Sequence, residues 1–270
     1  MLPVDPDGLE IHRLGQDLLE SRLRGIDDTV WRRSERARGA LPPGVLEERL
    51  FTAVSDEVTT LLARAVDLGV RSGDPELHDV DVELAGGTRI VGTVPLGLDG
   101  PGPGPGRVRF TRPKETDRLG AWLDLMVLVA SDPAVAWRSV VVTRAAGSGR
   151  PLEPVVLGPA VHDDPGRSAT GALGLVVDLY RRGMTEPLPL FSSYSAAVHA
   201  GGAADAAWTN HEGRGDGTRP AVRLVFGDVD VDEIDALPAR PGDPGTRGNR
   251  VERYAHHLWG AVDETSRAVP

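Results

Sequence analysis

Cysteine is absent from the 270 residues, which excludes disulfides, thiolate zinc sites and cysteine nucleophiles. The N-terminus, Met1-Leu-Pro-Val-Asp-Pro-Asp7, has neither a basic segment nor an apolar run, so no secretory signal is visible. The longest apolar stretch, Leu123 to Ala130, is interrupted by Asp124 and falls far short of the ~20 residues that span a bilayer. The expectation is a cytoplasmic protein without membrane contact. Positive charge is in short supply: 30 Lys and Arg stand against 40 Asp and Glu, a formal net charge of -10. Wrapping nucleic acid non-specifically needs clustered cations, so charge alone favours a protein-binding module. Three local basic groups remain: Arg22/Arg24, Arg32/Arg33/Arg36/Arg38 and Arg107/Arg109/Arg112/Lys114. Each fits a solvated surface equally well.

Catalytic signatures are missing as well. Gly147-Ser-Gly149 follows a strand pattern, but no Lys-Ser/Thr pair comes after it, so it is no phosphate-binding loop. No Gly-x-Ser-x-Gly exists. Asp228-x-Asp230-x-Asp232 lacks the glycine and the closing glutamate of a calcium loop and reads as an exposed acidic loop. His256 and His257 are adjacent and would face different sides of a helix. His162-Asp163-Asp164 has no partner cluster in the sequence, and His199 and His211 are isolated. No catalytic residue, cofactor or metal ligand set is predicted.

What is present is a core-forming pattern: 40% hydrophobic and 26% charged residues. The 33 glycines and 22 prolines are clustered, which predicts long irregular connections. Helical periodicity covers Leu9 to Leu23 and, most clearly, Val45 to Leu68, with Trp31 packed between. Val80, Val82 and Leu84 alternate with acids, and Gly86-Gly87 turns the chain into a second strand at Ile90, Val91 and Val94. The run Pro101 to Gly106 is a loop that the missing proline amides should keep out of a sheet. A third strand holds Val108 and Phe110, a helix runs from Arg118 to Ala130, and strands follow at Val140 to Thr143 and Val155 to Leu157. Helices are predicted at Ala169 to Arg182, Ser192 to Trp208 and Val251 to Trp259. Ala221 to Phe226 reads as a short strand and Ala261 to Pro270 as a mobile tail. The organisation is a helical segment over 1–70, a mixed-sheet core over 71–160 and a helical and loop extension over 161–270, in one compact fragment.

The core pattern resembles the α/β fold of restriction-endonuclease-like (PD-(D/E)xK) nucleases, with extra N- and C-terminal helices. Such an enzyme keeps a carboxylate near the end of one strand and an acidic-x-Lys pair on the next. Pro95, Arg109 and Thr111 stand at those places. A proline cannot ligate a metal ion and an arginine repels one, so the nuclease fold reads as catalytically degenerate. Asp81 and Glu83 are candidate relic ligands and fit solvent-facing strand residues equally well.

Four stretches carry a more specific resemblance: Arg38-Gly-Ala-Leu-Pro-Pro-Gly44, Arg118-Leu-Gly-Ala-Trp-Leu-Asp-Leu125, Leu179-Tyr-Arg-Arg-Gly-Met-Thr-Glu-Pro-Leu-Pro-Leu-Phe191 leading to Ser192-Ser-Tyr194, and Ala255-His-His-Leu-Trp-Gly260. In order and spacing they resemble the C-terminal region of the RecC family, the gamma subunit of the bacterial exodeoxyribonuclease V (RecBCD) complex. The resemblance implies a nuclease-like module without catalysis, which assembles with RecB-like and RecD-like subunits. It also implies a role in guiding double-stranded DNA ends where the strands split, in break repair by recombination. Chi recognition belongs in that family mainly to the part before this region, and the full subunit is much longer, so an isolated C-terminal fragment is expected. Arg107, Arg109, Arg112 and Lys114 are the candidate backbone-phosphate contacts, and Trp137 and Tyr194 the candidate aromatic contacts. Leu188, Leu190 and Phe191 are the candidate partner contacts, in a loop whose prolines lower the ordering cost of binding. Two other readings stand beside this one: an active metal-dependent nuclease using Asp81, Glu83 and a carboxylate from elsewhere, and an interaction domain without DNA contact.

Overall fold

The computed structural model describes residues 7–100, 102–147, 150–160, 164–202, 204–209 and 215–268. Three helices open it: α1 (Gly8–Leu23), α2 (Asp28–Ala37) and α3 (Val45–Asp67). Asp7 starts α1 through a capping box with Glu10, which satisfies otherwise orphaned amides. The Trp31 segment is helical as α2, and its ring is buried. A hairpin follows, β1 (Glu76–Glu83) and β2 (Arg89–Leu96), paired antiparallel from Glu76↔Leu96 to Glu83↔Arg89. Its turn works because Gly86 and Gly87 take φ of 82° and 76°, where side chains are strained.

The main sheet orders its four strands β3-β4-β5-β6: β3 (Gly106–Arg109), β4 (Ser139–Thr143), β5 (Val155–Pro159) and β6 (Ser266–Ala268). Strands β3 and β4 are parallel, joined through α4 (Glu115–Ser131), and the other two pairings are antiparallel. The mixed sheet is therefore present, but the hairpin forms a sheet of its own rather than its first two strands. Every residue of β4 is buried, as a strand covered on both faces requires. Val108, Phe110, Val140 and Val142 pack against Leu14, Leu18, Val58 and Leu61 of α1 and α3. Val141 and Leu157 pack instead with Trp122, Met126 and Val129 of α4 and with the hairpin's Val80 and Val82. Also in that second cluster are Leu173 of α5 (Pro165–Gly183) and Leu258 of α10 (Arg250–Thr265). α1 approaches the sheet closely at Gly15, where an added Cβ would lie 2.1 Å from the Phe110 ring.

The last third builds a satellite core of Phe191, Tyr194, Trp208, Ile234 and Val251. It gathers α6 (Ser192–His199), α7 (Asp205–Trp208), α8 (Pro220–Phe226) and α9 (Val231–Asp235) around the start of α10.

Several further expectations change. The helix expected over Ser192 to Trp208 breaks into α6 and α7, with Gly201 at φ 65° between them. The Pro-Gly run does join the sheet, through its carbonyls: Pro103 O accepts from Arg138 N at 3.0 Å, Pro105 O from Val140 N and Gly104 O from Gly97 N, both at 2.9 Å. A proline lacks only the donor, so it can still accept. Ala221 to Phe226 is helical as part of α8, begun by Pro220 and ended by Gly227 at φ 86°. The tail is not loose over its described part, because α10 continues to Thr265 and β6 pairs with β5. Part of the acidic tract is a short helix with a capping box, Asp230 to Glu233. Pro101, Ser148, Gly149, His162, Asp163 and His211 lie outside the described residues.

Candidate nucleic-acid interface

The basic strip starts on β3. Alternation turns Val108 and Phe110 towards α1 and α3 and leaves Arg107 and Arg109 to the opposite face, over α4. There Arg107 donates to the Asp124 carboxylate, and Arg109 Nη1 lies 3.5 Å from Asp117 Oδ1. Both carboxylates belong to α4. Burial pushes the Asp124 carboxyl above its ordinary range, against the pull of Arg107. Arg107 Nη1 passes over Gly120, at ordinary contact distance from where a Cβ would stand. Arg112 and Lys114 are exposed and make no ion pair among the described residues. The strip thus contains two internally neutralised arginines and two free cations.

The three positions expected to be degenerate divide between the two sheets. Pro95 pairs with Leu77 in the hairpin. Arg109 ends β3, and Thr111 two residues later accepts Arg144 N through its carbonyl at 2.8 Å. The Thr111 hydroxyl and the second Asp117 oxygen are buried without a hydrogen bond. Asp81 is held by Arg89 across the hairpin, with Arg89 Nε donating at 2.6 Å. Among the described residues no group of three or more His, Asp or Glu is placed to hold a metal ion.

The two candidate aromatic contacts are core residues. Trp137 is 4% exposed, donates its indole N–H to Asp132 O at 2.8 Å and meets His78 edge-on. Tyr194 is fully buried between Phe191 and Trp208, and its hydroxyl donates to Asp235 at 2.8 Å. Burial and that carboxylate push the phenol far above its ordinary range. Neither ring has a free face for a base. Phe191 is likewise buried in the satellite core, so of the three candidate partner contacts only Leu188 and Leu190 are open to a partner. They line an apolar groove of about 340 Å³ with Leu119, Leu123, Val176 and Tyr180.

The other two basic groups are also largely paired. Arg22 binds Asp28 at 2.8 Å. Arg32 and Arg36 share Glu47, at 2.9 and 2.7 Å, and Arg38 binds the buried Glu35 at 3.0 Å. One arrangement has no signal in the sequence: His199 is not isolated. Its Nδ1 lies 3.0 Å from His256 Nδ1 and its Nε2 3.1 Å from Asp263 Oδ2. Fifty-seven residues separate the two histidines, and no local pattern announces the pairing.

A family model described as the RecC C-terminal domain matches residues 1–202 of this sequence. The chain belongs to the RecC C-terminal domain family. It is 35% identical over 190 residues to the RecBCD enzyme subunit RecC of Mycolicibacterium smegmatis, covering 70% of this chain and 16% of that protein. The RecBCD enzyme subunits RecC of two Mycobacterium tuberculosis strains match at 33% over 189 residues, with the same coverage. The matched segment is thus a small part of each relative. No helix among the described residues is long and apolar enough to cross a membrane.

Proposed function

We propose that the chain is the non-catalytic C-terminal module of a RecC subunit in a cytoplasmic RecBCD-type helicase–nuclease. In this reading a nuclease-like α/β scaffold serves subunit assembly and DNA guiding rather than cleavage. The observation that carries it is the β3–α4 contact. At one of the strand positions where a nuclease would carry an acidic ligand stands Arg109, and it and Arg107 face the α4 carboxylates Asp117 and Asp124. A guanidinium supplies the counter-charge and the packing of a bound ion but cannot activate a water.

Assembly falls to the apolar groove around Leu188 and Leu190, flanked by Tyr180 and Met184, which are 68% and 69% exposed. Its occupant in this reading is a RecB-like or RecD-like subunit. Phosphate contact from the strip falls to Arg112 and Lys114, since Arg107 and Arg109 are engaged. The decisive experiment pairs a pull-down against a RecB-like protein from the same genome with a magnesium- and manganese-dependent DNA cleavage assay. Association without cleavage is expected, together with loss of association in Leu188→Asp. Metal-dependent cleavage by the chain alone, abolished by Asp81→Asn, would overturn the non-catalytic reading. Absence of association would leave an interaction domain of another kind.

A further inference from the structure

The basic groups first apparent in the sequence are largely tied to carboxylates, but one cluster in the fold is not. The loop before α10 and the first two turns of that helix enclose an open pocket of about 350 Å³. Its lining is Gly245, Thr246, Arg247, Arg253, His256 and His257. No acidic side chain and no apolar side chain is among them. Arg253 spans the loop from the helix: its Nε donates to Gly248 O at 3.1 Å and its Nη2 to Thr246 O at 3.2 Å, with Gly245 O 3.5 Å from Nη1. Neutral carbonyls orient this guanidinium without cancelling its charge. Arg247 is exposed and has no ion pair among the described residues.

Of the three neighbouring carboxylates, Asp178 and Asp263 are paired with arginines, whereas Glu252 meets a neutral amide and keeps its charge. Glu252 accepts from Asn249 N at 2.8 Å, Asp178 binds Arg182 at 2.7 Å, and Asp263 binds Arg118 at 2.6 Å and His199 at 3.1 Å. Burial pushes the His257 imidazole below its ordinary range; Asp178 opposes this and Arg182 adds to it.

We infer that this pocket binds a phosphodiester group of a nucleic-acid strand, with Arg247 as the free fork, Arg253 as the fixed fork and Thr246 as a hydroxyl donor. Planar guanidinium forks match phosphate oxygens in pairs. An acidic protein segment would share the charge, but protein interfaces are anchored by buried aromatic and apolar groups, and this lining offers none. The chain's overall negative charge does not oppose the site strongly, because at physiological salt exposed charges are screened beyond roughly 8 Å. The pocket lies beyond residue 202, where the family match ends, so it rests on local chemistry and not on the family reading.

The test is fluorescence anisotropy of the full chain with a labelled single strand, titrated at about 50 mM and about 200 mM salt. Arg247→Glu is expected to weaken binding about tenfold at the lower salt. It should also lower the log–log salt slope by about 0.7, the share of one phosphate on a single strand. Its thermal unfolding should match that of the wild type, since Arg247 is exposed. Arg247→Lys, which keeps the charge without the fork, should fall between. Undiminished binding by Arg247→Glu, or tighter binding of a glutamate-rich peptide than of DNA, overturns the assignment. If only Lys114→Glu weakens binding, the strip carries the phosphate contact and the pocket does not. If only Arg247→Glu does, the pocket stands and the strip's role falls.

Discussion

Two arginine-bearing surfaces of this molecule differ in what holds the guanidinium. On β3, Arg107 and Arg109 face Asp124 and Asp117 of α4. Before α10, Arg253 faces carbonyls and Arg247 faces solvent. Both pairs of arginines look alike in the sequence, yet only the second pair keeps its charge for a ligand. The sign of the partner decides whether an arginine is structural or available, and the partner is a property of the fold. The same difference bears on stability: on β3 the arginines face carboxylates of α4 that would otherwise sit desolvated without a counter-charge.

The largest expected effect comes from breaking the buried anchor under the second surface. Arg250 is 2% exposed and lies 3.2 Å from Asp243 and 3.0 Å from Glu186. The Tyr254 hydroxyl donates to the same Asp243 at 2.9 Å. Arg250→Ala leaves Asp243 buried without its cation and should cost about 3–5 kcal/mol, measured by denaturant unfolding. Burial pushes the Asp243 carboxyl upward, but the Arg240 amide, Tyr254 and Arg250 outweigh it and hold the group below the ordinary carboxylate range. A carboxyl lowered in the fold stabilises above its unfolded pKa, and that contribution disappears as pH falls through the lowered value. The gap between wild type and variant should therefore shrink on acidification below about pH 4. A constant gap would show that Arg250 acts through packing alone.

A smaller effect is expected at the first surface. Asp124→Asn weakens the hydrogen bond that Arg107 donates across the β3–α4 contact and should cost about 1–2 kcal/mol. Burial raises the Asp124 carboxyl in the fold, so its stabilising share is greatest below the unfolded pKa and is lost as pH rises through the folded one. The deficit of Asp124→Asn should accordingly narrow from acidic pH towards neutrality. Replacing both partners, Arg107→Leu with Asp124→Leu, should recover most of the loss, since an apolar pair can stand in for a desolvated ion pair. Failure of the double variant to recover would mean that Arg107 has a role beyond neutralising Asp124.

Much of the scaffold was legible from the sequence. The stripe from Leu46 to Ala65 has an unbroken helical period, and Gly86-Gly87 between alternating runs allows little but a hairpin. Short segments were not legible for physical reasons. Pro220 to Phe226 is too brief for period 2 and period 3.6 to be told apart. Ser266–Ala268 has no strand signal, because its place is fixed by pairing with β5. Tyr194 and Trp137 looked like surface candidates because nothing local reports burial. The ion pairs follow the same rule: Arg107 and Asp124 are 17 residues apart, on elements whose contact only the fold creates. The pocket before α10 did leave a faint signal. Arg253 stands three residues before His256 and four before His257, which places the three on neighbouring rows of a helix.

The smallest effect, and the sharpest test of the comparison, is at Arg112. It is exposed and unpaired among the described residues, as Arg247 is, but it stands beside the paired arginines of the strip. Arg112→Ala should change stability by no more than about 0.5 kcal/mol, as for most exposed substitutions. Any loss of strand affinity should be about two- to threefold at low salt and vanish at about 200 mM, as a single peripheral phosphate contact requires. Anisotropy titrations of Arg112→Ala and Arg247→Ala in parallel would rank the two surfaces directly. An equal loss from both would mean that freedom from a carboxylate is sufficient. A larger loss from Arg247→Ala would mean that the second, pre-oriented fork of Arg253 beside it makes the difference.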